Sequence, residues 1–293
     1  MKRIIFILLI VSLFGCSNNR KLSHSFFLAG HTYGSTAEKS KNENLKGLHP
    51  PFMEKVSFLN AQPKMTKGFF LGDCVWKPSH WPEAQKDIES IGIPIEIVRG
   101  NHDGGLKNFE NLFGPSYKSY VYKNNLYIIL DSNIDGWNIE GEQLVFLMNT
   151  LRNDTKNVDN VFIFSHHLIW YNTQKFSKPF PNSVQNRKRP SNFWTKIEPL
   201  LRLQERPVYL FAGDLGAFSK ERRKKDHVIE YFYHSYDNLT FVGTGMGGGV
   251  RDNMVIVDVF DDGSVEFRLI HLNGEDLDGL GKLEDYRNPN FIE

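Results

Sequence analysis

Short apolar runs, each closed by a polar cluster, recur along the chain. Phe26–Gly30 ends at His31, Gly68–Gly72 at Asp73, and Ile93–Val98 at Arg99-Gly100-Asn101-His102-Asp103. Val161–Phe164 runs into Ser165-His166-His167, and Val208–Ala212 into Gly213-Asp214. Such runs read as buried strands. Between them, apolar spacing predicts helices near residues 50–59, 81–91, 140–152 and 193–203. Tyr117–Tyr122 and Leu126–Asp131 flank Asn124-Asn125, a hairpin signal. Further strands are expected around 240–242, 253–260 and 264–271, joined by Gly-rich and Asp-Gly turns. Residues 35–49 read as a charged loop and 170–191 as a long Pro-, Asn- and Lys-rich excursion.

In open α/β sheets, ligands gather at the carboxyl ends of strands. Five buried strands that all end in His, Asp or Asn therefore describe one site at a sheet edge. The stretch after Val98 is the densest of them. Gly100 permits a tight exit, and Asn101, His102 and Asp103 offer an amide oxygen, an imidazole and a carboxylate. Hard and borderline cations take such donors. A plain polar turn would explain one such cluster; the repetition favours metal binding.

Composition narrows the class. A length of 293 residues suits one large domain with appendages, and 40% hydrophobic with 24% charged residues is a globular balance. A net charge of +1 excludes a global nucleic-acid-binding field. Met1-Lys2-Arg3 precedes an apolar run from Ile4 to Phe14, too short for a comfortable membrane span and typical of an export signal. Leu13-Phe14-Gly15-Cys16 resembles a bacterial lipobox, so 1–16 is expected to be a leader with Cys16 lipidated, and a cleaved secretory signal is the alternative. Residues 17–24 then form a tether, 25–273 the domain, and 274–293 a surface tail. Cys74, the other cysteine, is expected to be a small buried hydrophobe.

The ordered motifs resemble those of the calcineurin-like metallophosphoesterases over roughly residues 26–271. Gly72-Asp73 and Gly100-Asn101-His102-Asp103 fit the family's second and third motifs, and His166 its fourth. Gly243–Gly249 resembles the Gly-rich segment that often follows the fifth. Two motifs depart: Ala29 stands where the first motif has a carboxylate, and Asp214 and Gly216 replace the two histidines of the fifth. The resemblance implies an α/β (α+β) fold, a four-layer αββα sandwich of two mixed β-sheets flanked by helices. It also implies hydrolysis of phosphate esters, with a metal-bound water as nucleophile. The metal ligands carried over are Asp73, Asn101, His166 and Asp214, with His31 left from the altered half. One well-held divalent ion is expected in preference to two. The oxygen-rich set favours Mn²⁺, with Mg²⁺, Fe²⁺ or Zn²⁺ as alternatives.

His102 matches the general acid, and Asp103 is expected to orient its imidazole. His167 is a candidate substrate contact or an outward neighbour of His166. Trp76, Trp81, Trp170 and Tyr171 are candidate pocket walls. The basic residues Lys220, Arg222–Lys225 and Arg187–Arg189 are candidate anion contacts, though charge runs are more often solvated. The expected substrate is a phosphorylated small molecule, glycan or lipid, met in the bacterial envelope, periplasm or outside the cell, without nucleic-acid binding. Lipidation of Cys16 would provide the membrane anchor. The competing class is a degenerate domain that binds a glycan, lipid or protein without turnover.

Overall fold

The chain alternates strands and helices in the order β1 (Leu22–Ala29), α1 (Pro50–Met53), α2 (Val56–Asn60), β2 (Met65–Phe70), α3 (Trp81–Ser90), β3 (Ile95–Ile97), α4 (Leu106–Phe113), β4 (Lys118–Tyr122) and β5 (Asn125–Ile129). It continues through α5 (Gly141–Asp154), β6 (Asn160–Ser165), α6 (Glu198–Arg202), β7 (Val208–Leu215), β8 (Tyr231–Tyr236), β9 (Leu239–Gly245), β10 (Asn253–Phe260) and β11 (Val265–His271). This computed structural model describes residues 20–34, 45–172, 174–175, 181–184, 187, 189–216, 231–247, 252–272 and 283. The expected leader with Cys16, the basic run Lys220–Lys225, Lys188 and most of the expected tail lie outside these residues.

Two mixed sheets form, in the orders β11-β10-β1-β2-β3 and β4-β5-β6-β7-β9-β8. Both centres are parallel: β1 pairs with β2 and β2 with β3, while β5, β6, β7 and β9 run side by side. Antiparallel strands close the edges. Strand alternation then sorts the side chains into three apolar layers. On β1, Phe26 and Leu28 face the other sheet, while Phe27 and Ala29 face helices α1 to α4. On β7, Phe211 points between the sheets and Leu210 and Ala212 point toward α5 and α6. Burial on both faces explains why these strands read as continuous apolar runs. The result is the αββα sandwich.

Several boundaries differ from the sequence reading. β1 begins at Leu22, inside the expected tether. The β4–β5 turn is Lys123-Asn124, both at positive φ (45° and 58°), and Asn125 already pairs with Tyr122. Two successive left-handed residues match the twist of a two-residue hairpin, so the turn sits one residue earlier than the Asn-Asn pair suggests. The helix expected over 50–59 is two short pieces, and that over 193–203 starts as a π-helical turn at Phe193–Ile197. Strand β8 and helix α4 were not anticipated. Leu283, within the expected surface tail, is fully buried between the sheets, so this residue belongs to the core.

Candidate metal centre

The carboxyl ends of β1, β2, β3, β6 and β7 converge. Their close approach depends on residues without side chains. A Cβ on Gly72, itself at φ 85°, would lie 2.5 Å from the His166 Nδ1, and one on Gly100 would collide with the backbone nitrogen of Asp73. His31 and Asp73 also adopt positive φ, 54° and 52°. Non-glycine residues pay for that conformation, and such strain is concentrated at functional sites.

His31, Asp73, His166 and Asp214 are fully buried and face one another. His31 Nε2 lies 3.4 Å from Asp73 Oδ2 and 3.6 Å from Asp214 Oδ1. His166 Nε2 lies 3.1 Å from Asn101 Oδ1, 3.5 Å from Asp73 Oδ1 and 3.9 Å from Asp214 Oδ1. Ligand atoms of His31, His166 and Asp214 all fall within 4.8 Å of one another. In both imidazoles Nδ1 meets a backbone carbonyl, Leu215 for His31 (2.7 Å) and Leu71 for His166 (2.8 Å). Nδ1 must then be the donor, which turns the Nε2 lone pairs inward. Asp73 Oδ2 is buried and accepts no hydrogen bond. Two inward imidazole lone pairs around an unsatisfied carboxylate oxygen fit a divalent cation.

The electrostatics agree. Burial opposes the charge on Asp73, but His166 and His31 outweigh it and hold the carboxyl well below its usual range. Burial lowers the His31 pKa, only partly opposed by Asp73. Burial also opposes charge on His166, yet Asp73 and Asp214 lift it above the ordinary value. Carboxylates that favour a proton on His166 favour a cation there in the same way.

Asp214 is held by the excursion between β6 and α6. Both its carboxylate oxygens accept from the Ser183 backbone N–H at 3.1 Å, and Oδ2 also accepts the Ser183 hydroxyl at 2.6 Å. Its Oδ1 therefore points at both imidazoles. Sequence reasoning missed Ser183, because nothing in its local sequence announces a contact 31 residues away. Ala29, where the resemblance has a carboxylate, is buried in the apolar layer toward the helices.

The structure decides four expectations about neighbours, and for His167 it is the outward-neighbour reading that fits. Asp103 does not orient the His102 imidazole through Nδ1. Its carboxylate accepts the backbone N–H groups of Asp73, Cys74, Val75 and Gly100, at 2.9, 2.7, 3.2 and 2.7 Å. Burial pushes its carboxyl up to about 6, aided by Asp73 and opposed by those donors. The His102 Nδ1 donates instead to the Trp76 carbonyl (2.9 Å), while its backbone N–H donates to Asp73 Oδ1 (2.9 Å). His167 is turned away into a buried niche, stacked on Trp137 at 4.6 Å and bonded to the Ser132 hydroxyl at 2.8 Å. Burial lowers its pKa well below the ordinary value, as suits a neutral packing residue. Of the candidate pocket walls, Trp81, Trp170 and Tyr171 belong to the core. Trp76 alone is half-exposed, and it stacks on His102. Arg187 is folded onto Trp137 and Tyr171, and Arg189 pairs with Glu140, so neither faces the cluster.

Comparison with known proteins bears on the fold and the family. Among curated proteins none matches the chain. A solved purple acid phosphatase, PPD1 from seeds of yellow lupin (Lupinus luteus), is similar in fold, with a TM-score of 0.59 at 14% identity. That likeness covers 87% of this chain and 52% of the plant enzyme, so this chain spans about half the enzyme's length. A protein of unknown function, AQ665 from Aquifex aeolicus, is 17% identical over 49% of this chain and 80% of its own, with a TM-score of 0.29. The family model for calcineurin-like phosphoesterases matches residues 46–241, which takes in Asp73, Asn101, His102, His166 and Asp214. With two thirds of its length matched and its strand ends gathered around an inward-facing His and Asp cluster, the chain belongs to the calcineurin-like phosphoesterase family.

Proposed function

We propose that this protein hydrolyses phosphate esters with one divalent cation held by Asp73, His31, His166 and Asp214, and Asn101 at the rim. The observation that carries this is Asp73: one carboxylate oxygen has no hydrogen-bond donor, inside a pocket walled by imidazole nitrogens. The position of Asp214 Oδ1, between both imidazoles, supports a single shared ion. Three oxygen donors beside two imidazoles support Mn²⁺ over a thiolate-seeking ion. When bound, the cation supplies Lewis acidity to the phosphoryl group and lowers the pKa of water.

The chain's own groups do the rest. Asp73 fixes the centre, and its Oδ1 receives the His102 backbone N–H, which locks the loop to the cluster. With Nδ1 donating to a carbonyl, Nε2 is the nitrogen of His102 that exchanges a proton. It lies 4.0 Å from Asp73 Oδ2, on a side chain 29% exposed, so a substrate can reach it. His102 is the general acid, giving the Nε2 proton to the leaving oxygen.

The test uses apo protein reloaded with Mn²⁺ and assayed on p-nitrophenyl phosphate and bis(p-nitrophenyl) phosphate, which also separates mono- from diesterase. Asp73→Ala should lose metal and turnover together. His102→Ala should keep the metal and lose about 10²-fold or more in rate. Turnover unaffected by both substitutions would sink the reading. Absence of turnover with any metal, alongside specific glycan or lipid binding, would establish the non-catalytic alternative. The leader motif, with Lys2-Arg3 before Ile4–Phe14 and Cys16 behind, supports action in the bacterial envelope. Cys16→Ser should move the protein from the membrane to the soluble fraction if lipid is the anchor.

A further inference from the structure

We propose that Trp76 is a positioning residue for His102, and that the clamp it forms fits the site to esters of poorly leaving alkyl alcohols. This deepens the hydrolase reading and rests on it. His102 is held at three points. Its backbone N–H is on Asp73 Oδ1 at 2.9 Å, its Nδ1 is on the Trp76 carbonyl at 2.9 Å, and its ring lies on the Trp76 indole. The ring centroids are 4.4 Å apart and the planes differ by 20°. Tyr33, fully buried, backs the pair at 5.5 Å from Trp76 and 6.1 Å from His102. One residue thus supplies both the acceptor that sets the imidazole's proton position and the surface that sets its plane.

The chemistry says why such a clamp matters. The ester P–O bond breaks with its electron pair left on the alcohol oxygen. The Nε2 proton of His102 passes to that oxygen and leaves a neutral imidazole. The attacking water forms the new P–O bond and releases its proton to solvent. The departure of a weakly basic aryl oxide gains from that proton; the departure of an alkoxide depends on it, delivered in line from a fixed nitrogen. Trp76→Leu keeps the backbone carbonyl and removes the stacking face, so the imidazole gains freedom at the one angle the carbonyl leaves open.

The experiment compares p-nitrophenyl phosphate with an alkyl phosphate of similar size, on Mn²⁺-loaded wild type, Trp76→Leu and Trp76→Phe, with bound metal measured in each. Trp76→Leu should lose about 10²-fold more kcat on the alkyl than on the aryl ester, at equal metal content. Trp76→Phe, which keeps a stacking face, should recover most of that difference. In NMR spectra the His102 ring protons should carry an upfield ring-current shift that Trp76→Leu abolishes and Trp76→Phe largely retains. Equal losses on both esters, or no rescue by Phe, would overturn the positioning role. A wild type inert toward both esters would instead bring down the hydrolase reading, and the positioning role with it, even where the ring-current shift reports an intact stack.

Discussion

At the scale of single residues, Asp103 shows how a motif can be legible while the work of one member is not. The stretch Gly100-Asn101-His102-Asp103 announces a site because its donors follow a buried strand. The carboxylate at its end, however, serves the backbone of another loop. Four N–H groups, three of them on the segment after β2, end on its two oxygens. Removing a buried acceptor strands its donors at about 1–3 kcal/mol for a group. Asp103→Ala should therefore lower unfolding free energy by about 3 kcal/mol in urea titrations and weaken metal binding, because the backbone of Asp73 is what it holds. Asp103→Asn, with one acceptor oxygen left, should fall between. An Asp103→Ala protein of native stability that had lost only turnover would restore the role of imidazole orienter. Ser183, and the contact of Trp76 with His102, were hidden for the same reason: a hydrogen bond or ring stack between segments leaves no periodicity for either segment to display.

At the scale of elements, strands β3 and β5 lie in different sheets, and the residues just past them are tied together. Arg99 follows β3 and its Nε donates to Asp131 Oδ2 at 2.7 Å, with both side chains almost wholly buried. The same guanidinium reaches the Gly104 carbonyl at 3.0 Å, so the metal loop is bracketed by it. Asp131 in turn takes the Asn133 backbone N–H at 2.9 Å, and its own N–H donates to Gln143 of α5 at 2.7 Å. The pair's net worth against apolar replacements is small, but breaking one half leaves a buried charge. Arg99→Met should cost about 3–5 kcal/mol in urea unfolding. Adding Asp131→Asn removes the stranded charge and should recover part of that loss. A double variant no more stable than the single would show that the cost lies in the arginine's packing. The element pattern itself was largely legible, because buried parallel strands are apolar throughout. The hairpin turn was misplaced by one residue because Lys123 adopts a left-handed conformation that its side chain does not advertise.

At the scale of the whole molecule, the sandwich follows from strands apolar on both faces, since a two-faced strand needs both a facing sheet and a helical cover. The pairing of the two sheets was not legible, as it depends on which aromatic rings meet. Phe69 stacks on Phe164 at 4.0 Å across the interface, and Phe26 packs edge-on to Phe162 at 5.3 Å. A buried polar contact also joins this interface: His24 of β1 meets the Tyr127 hydroxyl of β5 through Nε2 at 2.7 Å. Burial, reinforced by Lys123, lowers the His24 pKa to about 4 from an ordinary 6.5. Between those values the unfolded chain binds more protons at this residue than the folded one, so stability rises with pH there. The contribution is complete above about pH 6.5, is lost as pH falls toward about 4, and does not change further below it. His24→Gln can keep a hydrogen bond to Tyr127 without titrating. The metal cluster also responds to acid, so the informative quantity is the difference between the two proteins. The wild-type urea midpoint should fall more steeply than that of His24→Gln across this window, and the two should run parallel above it. Parallel curves throughout would mean that the sheet interface admits the imidazolium, and that the two sheets separate more readily than their packing indicates.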